Sequence, residues 1–166
     1  NRLIQAQYRK AWIAEAKERF RKVPKPMGRQ GLVYGDKVIN LRNHRRSKVW
    51  PECDLAGKPA LRYVANGEIG MVVGQYKSRN VKYKSLPWAL EIEFSTQPGI
   101  AYSYTAADFG EEGDPPLELA YALTIHKAQG SEFGVTFVIL PNPCRLLKRE
   151  LLYTALTRQS QRLIIL

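Results

Sequence analysis

Two stretches of the 166-residue sequence concentrate side chains suited to chemistry on phosphates and hydroxyls. The first is Thr124-Ile125-His126-Lys127-Ala128-Gln129-Gly130-Ser131-Glu132-Phe133, in which seven of ten positions are polar or glycine although apolar runs flank it on both sides. A plain connection between two buried strands needs few polar groups, so this density points to a ligand. Thr124 and His126 can donate to phosphate oxygens, Glu132 can accept from a hydroxyl such as that of a ribose, and Gly130 permits a tight turn or a close backbone approach. The plainer alternative is a surface histidine and a glycine that ends a helix. The second stretch runs from Glu150 to Arg158 and closes on the guanidinium of Arg158. A guanidinium beside a phosphoryl group in flight stabilises the developing charge, an effect on the order of 10³ to 10⁵ in rate. The same arginine at a helix end could equally complement the helix dipole, which is worth only about 0.3–1 kcal/mol.

The elements around these stretches predict how they are held. Leu117, Leu119, Tyr121 and Leu123 alternate along one predicted strand, and residues 124–130 read as a turn into a short helix. Residues 135–140 are nearly all apolar, as in a parallel strand buried on both faces. Leu147, Leu151 and Ala155 give the four-residue stripe of a helix over residues 145–157, and residues 162–166 form a last apolar strand. Strand, helix, strand, helix, strand with short links predicts part of a parallel sheet, with the reactive segment past a strand's C-terminal end, where such sheets place ligands. Further strands are expected from outside the chain.

Upstream, the pattern differs. Ile4, Tyr8, Trp12 and Ala16 recur every four positions, predicting a helix over residues 3–22 that Pro24 and Pro26 stop, with a linker over 23–31. Between residues 32 and 109 five short strands are predicted near 37–42, 61–64, 68–73, 88–94 and 100–105, with Asn66-Gly67 as a hairpin turn. Five short strands over this length suit a small barrel. Residues 43–60 and 76–87 read as basic loops, the second bringing Tyr76, Tyr83 and Trp88 near Lys77, Arg79, Lys82 and Lys84, a set able to stack on bases and hold a phosphate backbone. Packing within the barrel is the alternative role for those aromatics.

The two reactive segments resemble motifs V and VI of superfamily 1 DNA helicases of the UvrD/RecD-like type. Thr124, His126, Gln129, Gly130, Glu132 and Phe133 fit the pattern T-x-H-x-x-Q-G-x-E-F, and Tyr153, Thr154, Ala155, Thr157 and Arg158 fit Y-T-A-x-T-R. Gln159 stands where relatives often have alanine, a departure that leaves the chemistry untouched. Gly35-Asp36-Lys37-Val38-Ile39 and Asn66-Gly67-Glu68-Ile69-Gly70 are similar to stretches of an SH3-like barrel in the RecD-like branch. The resemblance covers roughly residues 31–166. It implies an α/β fold that joins part of a RecA-like parallel sheet to a small SH3-like β-barrel behind an N-terminal helix. The expected divisions are a basic helix and linker over 1–30, the barrel over 31–110, and half of the second RecA-like domain over 111–166. It implies that Arg158 acts as the catalytic finger on the γ-phosphate. It also implies that Gly130 and Glu132 lie near the nucleotide, that Gln129 links the sites, and that Thr124, His126 and Lys127 contact single-stranded DNA. ATP and Mg would be held mainly by a preceding ATPase domain; that domain, single-stranded DNA and nuclease subunits are the partners this implies.

Composition bounds the reading. Residues 1–50 carry 14 Lys/Arg against 3 Asp/Glu, and residues 51–166 carry 12 against 12, so the whole net charge of +11 lies in the first third. That asymmetry fits a polyanion partner, or a solvated basic helix. Cys53 and Cys144 stand far apart without a CxxC, which predicts two free thiols, no metal site and a cytoplasmic protein. No long apolar run predicts a membrane span. There is no G-x-x-x-x-G-K-[ST] loop, and Gly57-Lys58-Pro59 lacks its hydroxyl residue, so the chain alone is expected not to hydrolyse ATP. The leading expectation is therefore the second wall of an ATP cleft and part of a DNA track in a helicase or exonuclease-associated motor. The competing one is a stand-alone, non-catalytic nucleic-acid binding module.

Overall fold

The computed structural model describes residues 1–20, 25–46, 48–54, 56–77, 88–109, 115–140 and 148–166. The chain divides into two compact units, Asn1–Ala122 and Leu123–Leu166.

The first unit opens with helix α1 (Arg2–Phe20) and continues into strands β1 (Lys37–Asn40), β2 (His44–Arg45), β3 (Val49–Trp50), β4 (Tyr63–Val64), β5 (Ile69–Lys77), β6 (Trp88–Phe94), β7 (Ala101–Thr105) and β8 (Leu117–Leu119). Six of them form an antiparallel sheet in the order β3-β7-β6-β5-β1-β8, and β2 pairs with β4 as a separate ribbon. The period of two sets the core. Leu90, Ile92 and Phe94 of β6 point to one side with Tyr102 and Tyr104 of β7, all at most 1% exposed. Phe94 meets both tyrosine rings edge-on, at 5.5 and 6.4 Å.

The strands predicted near 37–42, 88–94 and 100–105 are present, but three expectations are corrected. First, among the described residues no pairing joins β3 to β8, so the sheet is open and the closed SH3-like barrel is not formed. Its terminal strands have only two and three residues, too few to close a ring of hydrogen bonds. Second, Asn66-Gly67 does not make a hairpin, because β4 pairs with β2 and β5 with β1 and β6. The buried Asn40 side chain explains this: its amide donates to the carbonyls of Arg42 and Ala65 at 2.6 and 2.7 Å and draws the turn onto β1, where Gly67 N–H donates to Asn40 O. Third, Leu117–Leu119 is not a strand of the parallel sheet. It pairs antiparallel with β1, and Leu117 and Leu119 enter the same core as Val38. Alternation alone does not specify strand direction, so the period was compatible with either sheet.

Helix α1 is held differently from its apolar stripe. Ile4 and Tyr8 are 36% and 52% exposed, whereas Gln5 and Ala16 are buried and Trp12 half-buried. The buried face is anchored by polar contacts: Gln5 Nε2 donates to Asp36 Oδ2 at 2.6 Å and to Gly31 O at 3.0 Å. Asp36 also accepts from Val33 N–H at 2.8 Å and the Tyr121 hydroxyl at 2.9 Å, and burial pushes its carboxyl above the ordinary carboxylate range. Trp12 stacks between Tyr8 and Tyr121, at 6.0 and 5.8 Å. Part of the predicted linker joins the core instead, since Met27 and Leu32 are buried and exchange two backbone hydrogen bonds. The Asn1 side chain closes on Ala122, donating to its carbonyl at 2.9 Å and accepting from its N–H at 2.7 Å.

The second unit contains strand β9 (Phe133–Val138), helix α2 (Arg149–Leu156) and strand β10 (Gln159–Ile165). β9 and β10 are parallel, with Phe137 opposite Ile164. This is the β-α-β unit expected of the C-terminal region, with a two-stranded parallel sheet among the described residues; residues 145–147 of the predicted helix lie outside them.

Candidate functional site

The segment from Thr124 to Glu132 leads into β9, and Arg158 stands between α2 and β10. Because the two strands are parallel, their first residues lie side by side. Phe133 N–H donates to Arg158 O at 2.8 Å and ties the end of one reactive segment to the end of the other. Both therefore sit at the N-terminal ends of β9 and β10; the predicted place past the C-terminal end of a parallel strand does not hold, because Leu117–Leu119 belongs to the other sheet.

Residues 125–130 form consecutive turns and not the short helix expected. Ala128 N–H reaches Thr124 O at 3.1 Å, as in one α-helical turn. The next bonds, Gln129 N–H to His126 O and Ser131 N–H to Ala128 O, tighten to three-residue spacing. Gly130 then adopts φ 81°, which ends any helix, and nothing lies within 4 Å of where a Cβ would stand. Thr124 Oγ1 accepts from Lys127 N–H at 3.4 Å and caps the first turn. The side chains of Thr124, His126, Gln129 and Glu132 are exposed, and among the described residues those of His126, Gln129 and Glu132 make no hydrogen bond; Lys127 is half-buried.

Arg158 is half-buried, and three oxygens hold its guanidinium. Nε donates to Thr154 O at 3.1 Å, Nη1 to Ser131 O at 3.3 Å and Nη2 to Thr157 Oγ1 at 3.2 Å. Thr154 O is one of the helix-end carbonyls that have no partner within α2, so a cation here satisfies an orphan acceptor. The bond to Ser131 links motif-like segment to motif-like segment. An arginine carries five N–H donors, so among the described residues one remains on each terminal nitrogen, a pair suited to an oxyanion. The donor set fits a phosphate group and not a metal: among the described residues no three His, Cys, Asp or Glu cluster closely enough to hold an ion. From sequence, Thr157 is named only as a member of the Y-T-A-x-T-R pattern and Ser131 only within the first stretch, neither with a role of its own. Ser131 acts through its carbonyl, which no side-chain pattern reveals, whereas a threonine beside an arginine at a helix end was a readable signal.

Residues 119–166 match the family model of the UvrD-like helicase C-terminal domain. This part of the chain is similar to that helicase family. The helicase resemblance extends further upstream in relatives. The RecBCD enzyme subunit RecD of Buchnera aphidicola is 28% identical over 140 residues, covering 80% of this chain and 20% of that protein. The ATP-dependent RecD2 DNA helicase of Deinococcus radiodurans is 30% identical over 129 residues, covering 77% and 13%. The chain thus spans a fifth or less of the length of these relatives. The Pif1 helicase of Candida albicans aligns in structure with a TM-score of 0.47 at 16% identity, over 81% of this chain and 31% of that one.

The aromatic and basic set predicted to hold nucleic acid is only partly described. Tyr83, Arg79, Lys82 and Lys84 lie outside the described residues, and the Tyr76 hydroxyl shares a hydrogen bond with Ser103 Oγ at 3.1 Å. No helix of the described residues is long and apolar enough to cross a membrane.

Proposed function

We propose that this chain is the C-terminal part of an ATP-dependent DNA helicase motor, supplying one wall of the ATP cleft and part of the single-stranded DNA track. The observation that carries the reading is the hydrogen bond from Arg158 to Ser131, because it joins the two segments that such a motor must couple. In this reading Arg158 stabilises charge on the γ-phosphate, Gly130 and Glu132 face the nucleotide, and Thr124, His126 and Lys127 grip the DNA backbone. Gln129 lies between the two groups and links them. Mg-ATP is held mainly by an ATPase domain elsewhere in the parent protein. Nuclease subunits are candidate partners, since one relative bears the name of a RecBCD subunit. A cytoplasmic location belongs to the same reading.

The test is DNA-stimulated ATP hydrolysis by the full-length protein that carries this chain, with and without Arg158→Ala. The expected result is a loss of about 10³-fold in rate with ATP binding retained. An unchanged rate would overturn the motor and favour a non-catalytic nucleic-acid binding module, for which the basic first third of the chain is the supporting observation.

A further inference from the structure

Resting on the proposed finger role of Arg158, we infer that Thr157 is its positioning residue. A hydroxyl has one proton and can present a lone pair at the same time. Thr157 Oγ1 lies 3.2 Å from Thr154 O, a carbonyl that can only accept, so its proton is committed there. The hydroxyl must therefore turn a lone pair toward Arg158 Nη2, also at 3.2 Å. Thr154 O receives Arg158 Nε as well, which closes a small ring of three bonds: guanidinium to hydroxyl, hydroxyl to carbonyl, guanidinium to carbonyl.

The ring has a directional consequence. Nε and Nη2 lie along one edge of the planar guanidinium, and both are fixed to the last turn of α2. Ser131 O restrains Nη1 from the other segment. Three restraints on three nitrogens set the position and tilt of a plane, where one or two would leave it free to rotate. Arginine has long, flexible torsions, and holding it in advance removes an entropic cost that would otherwise fall on the reaction. Thr157 is at the C-cap of α2, with φ −91° and ψ 7°, and its backbone N–H is already bonded to Tyr153 O, so the residue itself is fixed. In this role the hydroxyl acts only through Arg158.

The experiment compares Thr157→Val, Thr157→Ala and Thr157→Ser in the full-length protein, measuring kcat and KM for ATP with single-stranded DNA at saturation and Arg158→Ala as reference. Val keeps the shape and removes the hydroxyl; Ala removes it without adding apolar bulk; Ser restores it. The expected result is a roughly tenfold fall in kcat for Val and Ala, the size of one hydrogen bond to a charged group, with KM for ATP nearly unchanged and Ser close to wild type. A merely structural role would move KM and thermal stability along with kcat. Normal rates in Thr157→Ala, or a Thr157→Ser rate as low as that of Thr157→Val, would overturn the inference while a collapsed Arg158→Ala keeps the finger. An unchanged Arg158→Ala would overturn both.

Discussion

Asp36 and Asp108 are carboxyls whose surroundings push them in opposite directions. Asp36 is fully buried, and desolvation outweighs the hydrogen bonds from Val33, Gln5 and Tyr121, so its pKa is raised from 3.8. It holds a proton in the fold at pH values where the unfolded chain has released it. Its contribution to stability is therefore complete below 3.8 and is lost as the pH rises through the folded value. Burial alone would raise Asp108 too. There, the hydrogen bond and charge of Arg46 at 2.9 Å, with the Thr105 N–H, prevail and lower it from 3.8. Its contribution is complete above 3.8 and lost as the pH falls through the folded value. Urea denaturation across pH should show these opposite signs. The stability advantage of wild type over Asp36→Asn should narrow from acid to neutral pH, while its advantage over Asp108→Asn should widen. At neutral pH we expect Asp108→Asn to cost about 2 kcal/mol, because Arg46, only 5% exposed and lying 3.7 Å from the Tyr104 ring centroid, loses its counter-charge. Parallel pH trends in the two variants would contradict the assignment for Asp36.

At the scale of elements, the docking of α1 depends on Gly35. Its φ is 84°, in the left-handed region, and a Cβ there would come within 3.0 Å of the Trp12 ring. Gly35→Ala should therefore cost about 2 kcal/mol, and hydrogen exchange should quicken by roughly an order of magnitude in residues 2–20. Exchange confined to its wild-type rate there would show that Trp12 does not hold the helix. The same helix marks where sequence patterns run out. Its existence was legible from Ile4, Tyr8, Trp12 and Ala16, but the face was not, because the anchor is a polar side chain, Gln5, reaching a buried carboxylate 31 residues away. The strands around Leu90, Ile92 and Phe94 were legible because burial on one side leaves a period of two. Leu117 and Leu119 show the limit of that signal, since direction and partner are decided by the facing strand. At the candidate site the residue types were readable as a set, and the Arg158 contacts were not, as two of its three acceptors are backbone carbonyls.

At the scale of the whole molecule, the two units have unequal means. The first buries a continuous core from Met27 to Leu119, whereas among the described residues of the second only Val138 and Ala155 are buried apolar residues. Val135, Phe137 and Ile139, alternating along one side of β9 and its continuation, are 49%, 61% and 72% exposed. Expressed separately, residues 1–122 should melt cooperatively with sheet-rich circular dichroism, and residues 123–166 should show no cooperative transition, having too small a core to offset chain entropy. A folded short fragment would mean that its stability does not depend on covering that side. The bond pair between Asn1 and Ala122 has a different consequence. It brings the two ends of the larger unit to the same point in space. A polypeptide that enters and leaves a fold at one doorway can have that fold removed, grafted into a host loop or re-spliced in a new order, with only a short bridge to span the cut.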